Sequence, residues 1–156
     1  MNNLSELVLE NKKLIIRVDM NVPIIDGTIK DKTRILASIP TIKHSLDRGA
    51  KILLVSHLGR PLEGNPETKF SLQPVADSLK KILDEEVELV SELNDPLIFN
   101  SSARIQVLEN IRFFKGEKSN SQELGKCLAS LCDIYVFDAF GTCLLYTSDA
   151  ADDALS

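Results

Sequence analysis

Five short apolar runs rich in β-branched residues punctuate the chain: KLIIRV (13–18), KILLVS (51–56), VELVS (87–91), IQVLE (105–109) and IYVFD (134–138). Runs this short, apolar at successive positions, suit strands buried on both faces. Between several of them lie stretches of helical period at 31–49, 71–83 and 120–132; in the first, Ile35, Ile39, Ile42 and Leu46 recur three or four residues apart. Ser71 stands before an apolar run as an N-cap, and Gly49 follows Leu46 and Arg48 as a helix stop should. Pro40 falls inside the first helical stretch and is expected to kink it. Such alternation predicts an α/β fold, a three-layer, doubly wound parallel sheet of Rossmann-like type with right-handed crossovers. The sequence contains neither an internal repeat nor a low-complexity tract.

The 156 residues amount to about one domain. No stretch approaches the roughly 20 apolar residues that cross a bilayer. The opening MNNLSELVLENKK lacks the order of a signal peptide, so a cytoplasmic protein without a membrane partner is expected. Lys and Arg number 18 against 23 Asp and Glu, a net charge of −5, which argues against a nucleic-acid partner. Any anion site must therefore be a local concentration of cations. Cys127, Cys132 and Cys143 are odd in number and form no CxxC pair, so neither a disulfide framework nor a metal site is indicated.

The polar residues that a buried strand cannot use cluster just after the runs: DMNVP after the first, HLGRP after the second, NIRFFKGE after the fourth and AFGT after the last. In open parallel sheets the ligand crevice lies outside the carboxyl ends of the strands, where helix N-termini present free N–H groups. The four clusters are therefore expected to share one cleft. It would hold Arg34, Arg60 and Arg112 as permanent cations, the titratable ring of His57, and an acceptor and an amide from Asp19 and Asn21. Guanidinium forks match carboxylate and phosphate oxygens bidentately, so the set suits a small anion carrying both groups. Each member has a plainer reading when taken alone: His57 as a core or capping histidine, Arg34 as a solvated helix residue, Gly59 and Gly141 as turn residues. Likewise Arg17 reads as a structural ion-pair partner, Glu109 as the partner of a nearby lysine and Asp138 as a turn cap. Only the common edge joins the candidates. A dinucleotide fingerprint GxGxxG is missing after the first run, KGEKS at 115–119 lacks the first glycine of a P-loop, and NSS at 100–102 is a chance sequon.

RVDMNVP, IKDKTRILASIPTI, VSHLGRP, VLENIRFFKGE and IYVFDAFGT, in this order and spacing, resemble the N-terminal domain of phosphoglycerate kinases over about residues 4–142. Within that span Phe137, Met20 and Cys132 stand where the family more often carries asparagine, phenylalanine and a small residue. The resemblance implies reversible phosphoryl transfer between 1,3-bisphosphoglycerate with ADP and 3-phosphoglycerate with MgATP, in a monomeric glycolytic enzyme of two domains closed by a hinge. By motif, Asp19 and Asn21 would hold the substrate's hydroxyl and carboxylate end, and Arg34 would lean toward the transferred phosphoryl as the catalytic cation. His57, Arg60 and Arg112 would hold the anionic groups, with Leu58 and Gly59 completing the substrate-binding loop. MgATP and MgADP would bind a C-terminal domain outside this chain.

After DAFGT the resemblance stops at Cys143, and Leu144 and Leu145 occupy the places of a family His and a substrate-binding Arg. Residues 143–156 resemble translated adapter DNA and are expected to be a non-homologous tail that packs poorly and leaves a sheet edge unpaired. A truncated N-terminal domain of this kind is expected to bind 3-phosphoglycerate weakly and to transfer no phosphate. The rival from another class is a noncatalytic anion-binding module; a Rossmann-type oxidoreductase fragment lacks its glycine fingerprint.

Overall fold

A computed structural model of the chain describes residues 8–56, 58, 70–111, 121–139 and 142–147; for 121–124, 138–139 and 142–147 it describes the backbone alone. The expected strands form as β1 (Lys13–Val18), β4 (Lys51–Val55), β5 (Val87–Val90), β6 (Ile105–Leu108) and β7 (Ile134–Ala139). The expected helices form as α1 (Thr33–Asp47), α2 (Gln73–Leu83) and α3 (Ser121–Leu131). Among the described residues the main sheet has six strands in the order β5-β6-β4-β1-β7-β8, the last being Thr142–Thr147. β1 lies at the centre, parallel to β4 on one side and to β7 on the other. β4, β6 and β5 continue the parallel pairing outward. The chain thus leaves β1 in one direction and returns to add β7 on the other side, the reversal of order that marks a ligand crevice in doubly wound sheets.

Alternation along each strand sends side chains into two separate cores. Leu14, Ile16, Ile52, Leu54, Ile105, Val107 and Val136 meet Ile35, Ile42 and Leu46 of α1 and Val75, Ala76 and Leu79 of α2 on one face. Ile15, Leu53, Val55, Leu108 and Tyr135 meet Leu128 and Ala129 of α3 on the other, where Ile98 and Phe99 of the β5–β6 connection complete the cover. That connection carries no helix over 91–104. Buried Gln106 fastens it instead: its amide donates to Leu97 O and Glu88 Oε1, both at 2.9 Å, and its Oε1 accepts the Phe99 N–H at 2.8 Å.

Local chemistry explains the element ends. α1 runs through Pro40 and stops at Gly49 (φ +89°), where Ala50 N–H donates to Ser45 O and Gly49 N–H to Leu46 O, the paired bonds of a Schellman motif. The N-cap of α2 is Leu72 and not Ser71 as expected; Ser71 stands one residue earlier, and its Oγ accepts the Gln73 N–H at 3.1 Å. Between β1 and α1 lies an unanticipated hairpin of β2 (Ile24–Ile25) and β3 (Thr28–Ile29). Its turn residues Asp26 (φ 51°) and Gly27 (φ 76°) both have positive φ, the type I′ geometry favoured by Asp-Gly between β-branched pairs.

The expected open edge beyond β7 is corrected. β8 pairs antiparallel with β7 from Ala139↔Thr142 to Ile134↔Thr147. An unpaired strand edge is a template for any chain nearby, and the segment that follows directly closes only a short loop. Thr142, Tyr146 and Thr147 also favour the extended backbone. No described helix is long and apolar enough to cross a membrane.

Candidate anion site at the carboxyl edge of the sheet

Parallel pairing brings the exits of β1, β4, β6 and β7 to one edge. Of the expected site residues, Asp19, Asn21, Arg34 and Leu58 belong to the described residues; His57, Gly59, Arg60 and Arg112 lie outside them. Asp19 follows β1 directly and accepts the Asn21 N–H on Oδ1 at 3.1 Å, a tight Asx turn that folds the DMN segment back on itself. Arg34, in the first turn of α1, returns to the same place. Its Nη1 donates to Asp19 Oδ1 at 3.2 Å and to Asn21 O at 2.8 Å. The pair is partly open to solvent, with side-chain exposures of 45% for Arg34 and 28% for Asp19, so its contribution to stability is small. Its effect is on direction: a long, flexible cation is held at the sheet edge with one of its nitrogens engaged and the rest of its planar fork still carrying donors.

The start of α1 supports this placement. Asp31 Oδ1 accepts both the Thr33 N–H at 2.9 Å and the Thr33 hydroxyl at 2.6 Å. The hydroxyl bond first, and the N–H bond after it, hold the Asp31 carboxyl below the usual carboxylate range, with the Arg34 charge adding to them. A carboxylate kept ionised there also complements the positive end of the helix.

Leu58 contributes no side chain to this edge. It is buried in the α1–α2 core, and its carbonyl accepts a bond from Asn110 Nδ2 at 2.6 Å. Among the described residues Glu109 has no lysine partner, the plainer reading of its role. It accepts the Ser71 hydroxyl and the Leu72 N–H, both at 2.7 Å, and so caps α2 from just beyond the end of β6. Sequence patterning missed what Glu109, Asn110 and Ser56 do, because the bonds that matter, from Ser71 and Leu72 to Glu109, from Asn110 to Leu58 and Phe70, and from Met20 to Ser56, join distant segments. Met20 and Cys132 are buried, and Phe137 packs against the α3 core. A separate open groove of about 550 Å³ between the β2–β3 hairpin and α2 is lined by Asp26 and Asp77, an unsuitable wall for a phosphate.

Known proteins resemble the chain over most of its length. The family model described as phosphoglycerate kinase matches residues 4–148, running past Cys143 to take in β8. A phosphoglycerate kinase of Vibrio campbellii is 52% identical over 139 residues, covering 89% of this chain and 36% of that protein. The solved phosphoglycerate kinase of Coxiella burnetii superposes with a TM-score of 0.80 at 43% identity, over 89% of this chain and 35% of that one. That of Pyrococcus horikoshii OT3 gives 0.73 at 28% identity, over 89% and 36%. The chain therefore spans about a third of the length of these relatives.

Proposed function

The chain belongs to the phosphoglycerate kinase family, and from that premise we propose that residues 1–142 are the glycerate-binding N-terminal domain of a kinase interconverting 1,3-bisphosphoglycerate with ADP and 3-phosphoglycerate with MgATP. The observation that carries the proposal is the Arg34 guanidinium drawn back onto Asp19 and Asn21 at the carboxyl edge. Phosphoryl transfer needs positioning and neutralisation of charge more than a covalent nucleophile. A guanidinium held in advance meets negative charge without reorganising, which suits Arg34 to the transferred phosphoryl. Asp19 and Asn21 bind the hydroxyl and carboxylate end of the glycerate. His57, Arg60 and Arg112, which follow β4 and β6 in sequence, hold its anionic groups together with the backbone of Leu58 and Gly59. MgATP and MgADP are substrates of the complementary C-terminal domain, and the protein acts in the cytoplasm as a monomer.

Calorimetric titration of the chain with 3-phosphoglycerate, beside a phosphotransfer assay with 3-phosphoglycerate and MgATP, tests this reading. Weak binding without turnover is expected. Arg34→Ala in the chain joined to a family C-terminal domain is expected to lower kcat at least about a hundredfold while raising KM much less. Turnover near that of the unsubstituted enzyme would remove Arg34 from its role, and no binding at millimolar ligand would remove the glycerate site.

A further inference from the structure

Ser56 is almost fully buried, at 2% exposure, where β4 ends. Its Oγ accepts the Met20 N–H at 2.9 Å, and its carbonyl accepts the Ile111 N–H at 3.0 Å. One residue thereby ties the exits of β1 and β6 to that of β4. Each tie falls beside a residue assigned to the anion site: Met20 lies between Asp19 and Asn21, His57 follows Ser56, and Arg112 follows Ile111. Asn110, with no exposed surface, extends the arrangement. Its Nδ2 donates to Leu58 O at 2.6 Å and to Phe70 O at 2.9 Å, tying these two residues to the exit of β6.

We propose that Ser56 and Asn110 are positioning residues, a hydrogen-bonded buckle that sets the spacing of the exits of β1, β4 and β6 so that groups assigned to separate segments meet one ligand. The physical reason is that a short neutral hydroxyl and an amide join backbone to backbone. They fix the spacing of the strand exits without adding charge that would compete with the anion, and burial makes an unmade bond costly enough to keep the spacing single-valued. Neither residue touches the ligand. This inference rests on the glycerate-binding reading for its affinity measurement alone.

The test uses this chain with 3-phosphoglycerate as the probe, and compares Ser56→Ala with Ile105→Val. Ile105 is buried at the opposite end of β6, so its truncation loosens the core without touching the strand exits. Urea midpoints place the two variants on one stability scale. Ser56→Ala is expected to weaken affinity about tenfold, beyond anything its loss of stability explains, while Ile105→Val stays within about twofold. Without ligand, Ser56→Ala is expected to displace the amide resonances of Asn21 and Ile111 together and to speed exchange at Met20. If Ser56→Ala does not fold, Asn110→Leu, which keeps the approximate size and removes both donated bonds without adding charge, carries the affinity expectation and should displace the Leu58 and Phe70 resonances. Equal affinities for the edge and core variants, or unmoved resonances across the edge, would overturn the proposal. A chain that fails to bind 3-phosphoglycerate at all would sink the functional reading instead, and the ligand-free resonances would still decide whether the buckle couples the strand exits.

Discussion

At the scale of single residues, burial separates side chains of the same type. Cys127 is exposed on α3, while Cys132 is buried beside Ile15 and Tyr135. Desolvation first, with the Asp133 charge adding to it, pushes the Cys132 thiol from the ordinary 9.0 up to about 11. The thiolate is the nucleophile, so alkylation near pH 8 followed by peptide mass spectrometry should label Cys127 at least about tenfold faster than Cys132. Comparable rates would mean that the α3 core opens readily. The same shift has a sign in stability. A neutral thiol is favoured in the folded chain, so its contribution is complete below 9.0, where both states are protonated, and is lost as pH rises toward about 11 and the unfolded thiol ionises first. The stability difference between the protein and Cys132→Ala should accordingly shrink over that window and stay flat below it.

Elements begin and end where one residue supplies what the backbone lacks. Gly49 at φ +89° carries the Schellman turn that releases the chain from α1 toward β4, and a Cβ there would stand 3.4 Å from Glu10 Cα. That contact is close to ordinary, so the conformation itself dominates the cost of a side chain. Gly49→Ala should destabilise the fold by about 1–2 kcal/mol, read as a lowered urea midpoint at unchanged slope. No loss would show that the turn relaxes to a negative φ. The caps of α1 and α2 illustrate a second point. Asp31 caps α1 from two residues before its first helical position, a relation visible in DKT, whereas Glu109 reaches the start of α2 from just beyond the end of β6. Local spacing predicts the first kind of cap, because donor and acceptor move together in the chain. It is blind to the second, whose partner arrives only when strands and helices have packed.

For the whole molecule, pairing predicts a gradient of protection. β1 and β4 have neighbours on both sides, whereas among the described residues β8 pairs only with β7 at the end of the sheet. Hydrogen exchange should find the amides of 14–17 and 52–55 most protected and those of 143–147 protected but faster, because an end strand opens without breaking the sheet. Exchange at 143–147 as fast as in an unstructured peptide would dissolve β8 and restore an open edge at β7. The sequence by itself determined the alternation of strand and helix, the two-faced burial of the central strands and the stop at Gly49, because each depends on residues within a few positions of one another. It also contained the Asp26-Gly27 hairpin signal, short enough to be overlooked between longer elements. The site was legible only in part: cations and amides after strands point to a common edge once the sheet is parallel. Only the tertiary structure decided that Arg34 folds back on Asp19, that Ser56 joins three strand exits, that Glu109 caps α2 and that 142–147 extends the sheet. Apart from the pairing of the adjacent strands β7 and β8, those bonds link segments well separated in the chain, and a donor chooses among distant acceptors only after hydrophobic burial has brought the backbones together.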